Sequence, residues 1–273
     1  MPNDTELVVR PEHSVYRAGD DVNASITLSP RNLTVRGGTA QLVCSGHYRG
    51  AFSKHHSGEA WVTHFKAQQN FVDASQVRSG ERFFNVQFTL PTDAPPTYAG
   101  NLIAVQWKIK AKLDIPHRVD KTAEARITVL RSPLAGNVQL DMPHRGAACD
   151  VSFDVPSVWV RAGGNLEGTV LVNPVKDVEI TGAQLELLRI EVVYTGSVTR
   201  QSQKREKILK LADASKSVKG LMEGLGFRVV IPENSRPFLA VREARGYYAL
   251  RAKIAIKGQI DRVPSIPLFI YNG

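Results

Sequence analysis

Cysteine is scarce in this chain: two in 273 residues, with three methionines and three tryptophans. Cys44 and Cys149 alone cannot build the disulfide framework of a small secreted domain, and they read as buried free thiols in a reducing compartment. No apolar stretch approaches the roughly 20 residues that a bilayer-spanning helix needs. The opening Met1-Pro2-Asn3-Asp4-Thr5-Glu6 has neither a basic nor an apolar leader segment, which predicts no signal peptide and a cytoplasmic location. Catalytic signatures are missing too. There is no G-x-S-x-G elbow, H-E-x-x-H pair, phosphate-binding loop or dinucleotide fingerprint. Gly220-Leu221-Met222-Glu223-Gly224-Leu225-Gly226 is glycine-rich without a strand-to-helix setting that would cradle phosphate. These absences predict a protein that is not an enzyme, takes no cofactor and has no small-molecule substrate.

Strict alternation, by contrast, is abundant. In Val105-Gln106-Trp107-Lys108-Ile109-Lys110-Ala111-Lys112-Leu113-Asp114-Ile115 every odd position is apolar and every even one polar. Side chains of a strand point alternately to its two faces, so this is a half-buried strand. Val22–Leu28, Asn85–Leu90, Gln184–Val193 and Tyr247–Ile256 follow the same rule, and Gly, Pro, Asn and Asp punctuate the gaps. Only Ile208–Leu225 has a composition open to a short helix, and its spacing is irregular.

The chain also repeats itself. Val15-Tyr16-Arg17-Ala18-Gly19-Asp20 returns as Trp159-Val160-Arg161-Ala162-Gly163-Gly164, with Arg17 and Arg161 144 positions apart. Trp107-Lys108-Ile109-Lys110-Ala111-Lys112-Leu113 returns as Tyr248-Ala249-Leu250-Arg251-Ala252-Lys253-Ile254, 141 positions on. Two matches in one order at nearly one spacing imply a duplicated domain. The expected fold is all-β: two tandem antiparallel, immunoglobulin-like sandwiches over residues 1–131 and 132–273.

Several of these segments resemble a known family. Tyr16-x-x-Gly19-Asp20-x-Val22-x-x-x-Ile26-x-Leu28, then Leu33-Thr34-Val35-Arg36-Gly37, resembles the opening of the arrestin amino-terminal domain. Phe84–Pro91, Pro95-Pro96-Thr97-Tyr98 and Ile109–Asp114 resemble its end, and Val158–Tyr271 resembles the arrestin carboxy-terminal domain. The resemblance implies an arrestin-like fold and an adaptor or scaffold, not catalysis. Animal visual and beta-arrestins carry paired lysines on the first strand, where Leu7-Val8-Val9-Arg10 offers one arginine. The chain looks closer to alpha-arrestins, the retromer cargo-adaptor subunit and bacterial sporulation-control relatives.

Binding surfaces follow from charge. The net charge is +9. Lys108, Lys110 and Lys112 form a row on the solvent side of one strand, spaced by about 7 Å. Ser197–Lys219 holds a second excess, with Arg200, Lys204, Arg205 and Lys207 at its centre. Either set suits phosphate, acidic peptide or anionic lipid. Sequence-specific nucleic-acid binding is not expected, for no recognition helix or interleaved aromatic platform accompanies the charge. His47, His55, His56 and His64 with Cys44 and Glu59 lack the spacing of a metal site and read as a polar loop. Pro95-Pro96-Thr97-Tyr98 spells a WW-domain ligand but reads as a proline-rich turn. The leading expectation is a cytoplasmic adaptor that binds protein partners through strand edges and concave faces, in trafficking or signalling. The alternative is a peripheral protein holding anionic membrane through its basic patches.

Overall fold

Ile103–Asp114 turns Ile103, Val105, Trp107, Ile109, Ala111 and Leu113 inward, and all six are buried. This strand lies in a computed structural model that describes residues 5–29, 33–53, 56–77, 80–133, 149–174, 179–195, 198–212, 223–258 and 263–272. The chain divides into two units, residues 1–99 with 103–131, and residues 100–102 with 132–273.

The first unit has a three-stranded sheet in the order β1 (Glu6–Pro11), β3 (Asp21–Ser29), β8 (Arg82–Thr89). Its larger sheet runs β2 (Val15–Arg17), β11 (Lys121–Leu130), β10 (Ile103–Asp114), β5 (Gly37–Ser53), β6 (His56–Val72), with β9 (Tyr98–Ala99) also on β10. A ribbon of β4 (Leu33–Val35) and β7 (Ser75–Val77) joins them. Leu28 of the small sheet and Leu113 of the large one share a buried cluster with Leu33, Val35, Val77 and Ile115. Burying such side chains is worth about 1.5–3 kcal/mol each, which holds two facing sheets together.

The second unit repeats this order. Its small sheet is β12 (Cys149–Asp154), β14 (Asn165–Pro174), β17 (Leu225–Val230). Its large sheet is β13 (Trp159–Arg161), β20 (Ser265–Tyr271), β19 (Ala244–Ile256), β15 (Ile180–Thr195), β16 (Val198–Ala212), with β18 (Leu239–Val241) on β19. Val170 and Val172 meet Leu185, Leu250 and Leu268 in its core. Both units are two-sheet β-sandwiches with the same strand order.

The repeat extends to single bonds. Gly19 and Gly163 adopt φ of 88° and 78°, which only glycine tolerates readily. Beside them, the Leu90 amide donates to the Asp20 carbonyl and the Ile231 amide to the Gly164 carbonyl, both at 2.9 Å. One feature departs from the antiparallel expectation: β2 pairs with β11, and β13 with β20, in parallel. Each short strand follows a crossover from the other sheet, so it lands on the last strand of its unit in the same direction. The short helix allowed over Ile208–Leu225 is corrected in part, because Ile208–Ala212 is the end of β16. Hydrogen bonding to β15 overrides local propensity there. Residues 213–222 lie outside the described residues.

Candidate functional site

The outer face of the large sheet in the first unit gathers the charge. Even positions of β10 point away from the core, so Lys108, Lys110 and Lys112 form the expected row. Cross-strand pairing puts Arg126, Glu124 and Thr122 beside them on β11, and Val43, Gln41 and Thr39 on β5. The row is partly neutralised. Lys108 Nζ lies 2.8 Å from Glu124 Oε1, on the diagonal rather than directly opposite. Lys112 Nζ lies 2.8 Å from Asp120 Oδ2, and Arg36 Nη2 2.8 Å from Asp114 Oδ1. The lysine hydrogen bonds hold the Glu124 and Asp120 carboxyls below their usual range, while Asp120 raises Lys112. Lys110 is exposed, and Thr39, Gln41, Lys110, Lys112, Thr122 and Glu124 line a shallow depression around it.

Beyond β5, the strand β6 completes the face. Its outward residues are Glu59, Trp61, Thr63, Lys66, Gln68 and Asn70, all exposed. Arg36, Arg49, Lys66, Lys108, Lys110, Lys112 and Arg126 therefore share one face with Glu59, Asp114, Asp120 and Glu124, leaving three positive charges in excess. The small sheet offers a different surface, a polar depression lined by Arg10, Glu12, Asn23, Ser25, Asn85 and Gln87. Asn23 Nδ2 donates to Glu12 Oε2 there at 2.9 Å.

The second basic set is less informative. Arg200, Lys204, Arg205 and Lys207 lie on the edge strand β16, and their side chains fall outside the described residues. The counterparts of the lysine row are Ala249, Arg251 and Lys253. Arg251 donates through Nε to Glu186 Oε2 at 2.7 Å, and Glu186 is fully buried. That arginine serves the fold.

The histidine group is corrected. It is not a loop: His47 and Cys44 lie on β5 and His64 on β6, two 17-residue strands paired along their length. Apolar residues at alternate positions carry the pattern through the histidines, which the eye reads as polar. His47 Nε2 and Glu59 Oε2 are 2.9 Å apart, and the Trp61 indole stacks on the His47 ring at 4.2 Å and 14°. His64 instead bonds the buried Tyr48 hydroxyl on the inner face. His55 lies outside the described residues, as does the side chain of His56. Among the described residues no three His, Cys, Asp or Glu side chains converge to hold a metal.

Sequence reasoning missed Trp61, which is 69% exposed. The signal was present, for in Glu59-Ala60-Trp61-Val62-Thr63 the tryptophan falls on the polar parity. The proline-rich turn is also corrected. The chain reverses earlier, where the Ala94 amide donates to the Pro91 carbonyl at 3.0 Å. Pro95–Tyr98 runs extended beside β11, with Thr97 N donating to Val129 O at 2.8 Å and Pro96 and Tyr98 buried.

The family profile described as arrestin (or S-antigen), N-terminal domain, matches residues 6–133, from β1 through β11. Residues 6–133 of the chain form an arrestin-like amino-terminal domain. Arrestin-domain proteins are in general non-enzymatic adaptors or scaffolds that bind protein partners. A search of curated proteins finds no match to this one. Among its described residues, no helix is long and apolar enough to cross a membrane.

Proposed function

We propose that this arrestin-like protein is a cytoplasmic adaptor, without catalytic activity, that holds protein partners through its sheet edges and the faces of its two sandwiches in trafficking or signalling. The domain boundary near residue 131 and the reading of residues 132–273 as an arrestin-like carboxy-terminal sandwich belong to the same proposal. The observation that carries it is the outer face of β6, β5, β10 and β11, which is broad, polar and positively charged. Such a surface suits recognition of an acidic protein segment by many shallow contacts. In-cell crosslinking and mass spectrometry test it, comparing the wild type with alanine at Lys108, Lys110, Lys112, Lys204, Arg205 and Lys207. A discrete partner retained by both proteins places binding on edges and other faces; a partner lost only in the variant places it on the basic surfaces. Recovery of no partner at all counts against an adaptor.

The net charge of +9 favours a second reading, peripheral attachment to anionic membrane. Two of the three row lysines are engaged by carboxylates, which weakens their pull on a distant bilayer. Vesicles of phosphatidylserine and phosphatidylcholine, titrated at rising salt, decide it. Binding that falls steeply with salt supports attachment, and absent or salt-insensitive binding excludes it.

A further inference from the structure

Among the described residues, the four larger sheets end on eight strands: β1, β8, β2, β6, β12, β17, β13 and β16. Six of them are three to eight residues long; β6 has 17 and β16 has 15. A long open edge invites strand addition, and proteins blunt such edges with charge, above all lysine. The sequence of β16 carries Arg200, Lys204, Arg205, Lys207 and Lys210 against one glutamate, Glu206. β6 occupies the same place in the other copy, yet Glu59 and Lys66 are its only acidic or basic residues besides histidine. It displays an exposed tryptophan instead.

We propose that β6 is the docking edge for an extended acidic segment of a partner protein, which adds to the sheet with an apolar side chain against Trp61 and a carboxylate against Lys66. This rests on the adaptor reading and names its edge and its class of partner. Backbone pairing supplies affinity in strand addition, and alternate side chains supply specificity. Trp61 is already ordered by its stack on His47, so little freedom is lost when a partner covers its other side. Lys66 is exposed, and it shares the outer face with Lys108, Lys110 and Arg126.

The geometry also sets the spacing. Pairing passes from Cys44↔Phe65 to Ser45↔Thr63, so His64 is an extra residue in β6. His64 meets Tyr48, and Phe65 meets Trp107, so both point inward and the outward series runs 61, 63, 66, 68. A regular partner strand therefore places its apolar residue and its carboxylate four positions apart, although Trp61 and Lys66 are separated by five. A second copy of the chain is the poorer occupant, because it would bring two positive faces together.

Selection of random twelve-residue peptides on the full-length chain tests this. The enriched sequences are expected to share an aromatic or aliphatic residue and an Asp or Glu four positions apart. Trp61→Ala should weaken their binding about tenfold or more, as loss of an aromatic anchor does. Reselection on Lys66→Glu should exchange the acidic residue for Lys or Arg. Both positions are exposed, and an unchanged melting temperature shows that the variants fold. No enrichment, a consensus without this spacing, or a consensus unchanged by Lys66→Glu overturns the proposal. So does sedimentation that finds a dimer dissolved by Trp61→Ala, which gives the edge to a second copy. A native partner crosslinked only to other surfaces overturns the β6 assignment and leaves the adaptor reading standing.

Discussion

Trp107 Nε1 donates a hydrogen bond to the carbonyl of Pro95 at 2.8 Å, twelve residues back along the chain. Tyr248 occupies the same place in the second unit, and its hydroxyl accepts from the amide of Arg236 at 3.3 Å, again twelve residues back. The bond has kept its position and reversed its polarity. In both units a buried aromatic on the central strand ties down the segment that crosses to it.

Trp107→Phe should therefore destabilise the first unit by about 1–3 kcal/mol, since it strands the Pro95 carbonyl and leaves a gap. Tyr248→Phe should lower stability less, by about 1 kcal/mol, because the bond it removes is longer. Urea midpoints of the two variants measure this. Equal losses would show that the Trp107 bond carries no special weight.

Pro95-Pro96-Thr97-Tyr98 should fail as a WW-domain ligand in the folded chain, because Pro96 and Tyr98 are buried and the backbone is engaged with Val129. A synthetic peptide of residues 93–100 should bind a P-P-x-Y-selective WW domain in a fluorescence titration, and the intact protein should not. Tyr98→Ala should destabilise by about 3–5 kcal/mol, as removal of a buried aromatic does.

The duplication, the strands and the lysine row were legible because each rests on a period of two or on a repeated motif. The parallel pairings were not, since strand direction depends on which neighbour the chain reaches in space. Nor were the partners of Lys108 and Lys112: Glu124 and Asp120 come from the following loop and strand, and register rather than spacing delivers them. His47 and His64 misled for a different reason. A histidine counts as polar by composition, yet one of these stacks under an indole and the other bonds a core tyrosine.

Cys44 should be inert in the native protein. It is fully buried, and desolvation pushes its thiol pKa up to about 12, so hardly any thiolate exists at pH 8. Cys149 is buried as well. A thiol-disulfide reagent at pH 8 should titrate no thiol in the folded chain and two in denaturant. Rapid native labelling would show that the β5–β6 hairpin opens on that timescale.

Arg251→Ala should be costly out of proportion to its position near the surface. It removes the cation that faces Glu186, a carboxylate with no exposure, and breaking a buried pair typically costs about 3–5 kcal/mol. The double change Glu186→Gln, Arg251→Met should recover much of that loss, because both charges of the pair are removed together. Thermal melts of the single and double variants check the order. A single variant as stable as the wild type would mean that the pair contributes nothing.

The lysine row gives stability a dependence on acid. Lys108 and Lys112 bond the ionised forms of Glu124 and Asp120, so both carboxyls lie below their ordinary values of 4.5 and 3.8 in the folded chain. The unfolded chain takes up these protons first as pH falls. Each pair therefore stabilises the fold fully above its ordinary value and loses that contribution as pH drops through the lower folded value. The contribution of the exposed Lys108–Glu124 pair should stay within about 1 kcal/mol and shrink in molar salt. Urea midpoints of the wild type and of Glu124→Gln, Asp120→Asn should differ at pH 7 and converge near pH 2. A difference that persists in acid would assign the effect to packing rather than charge.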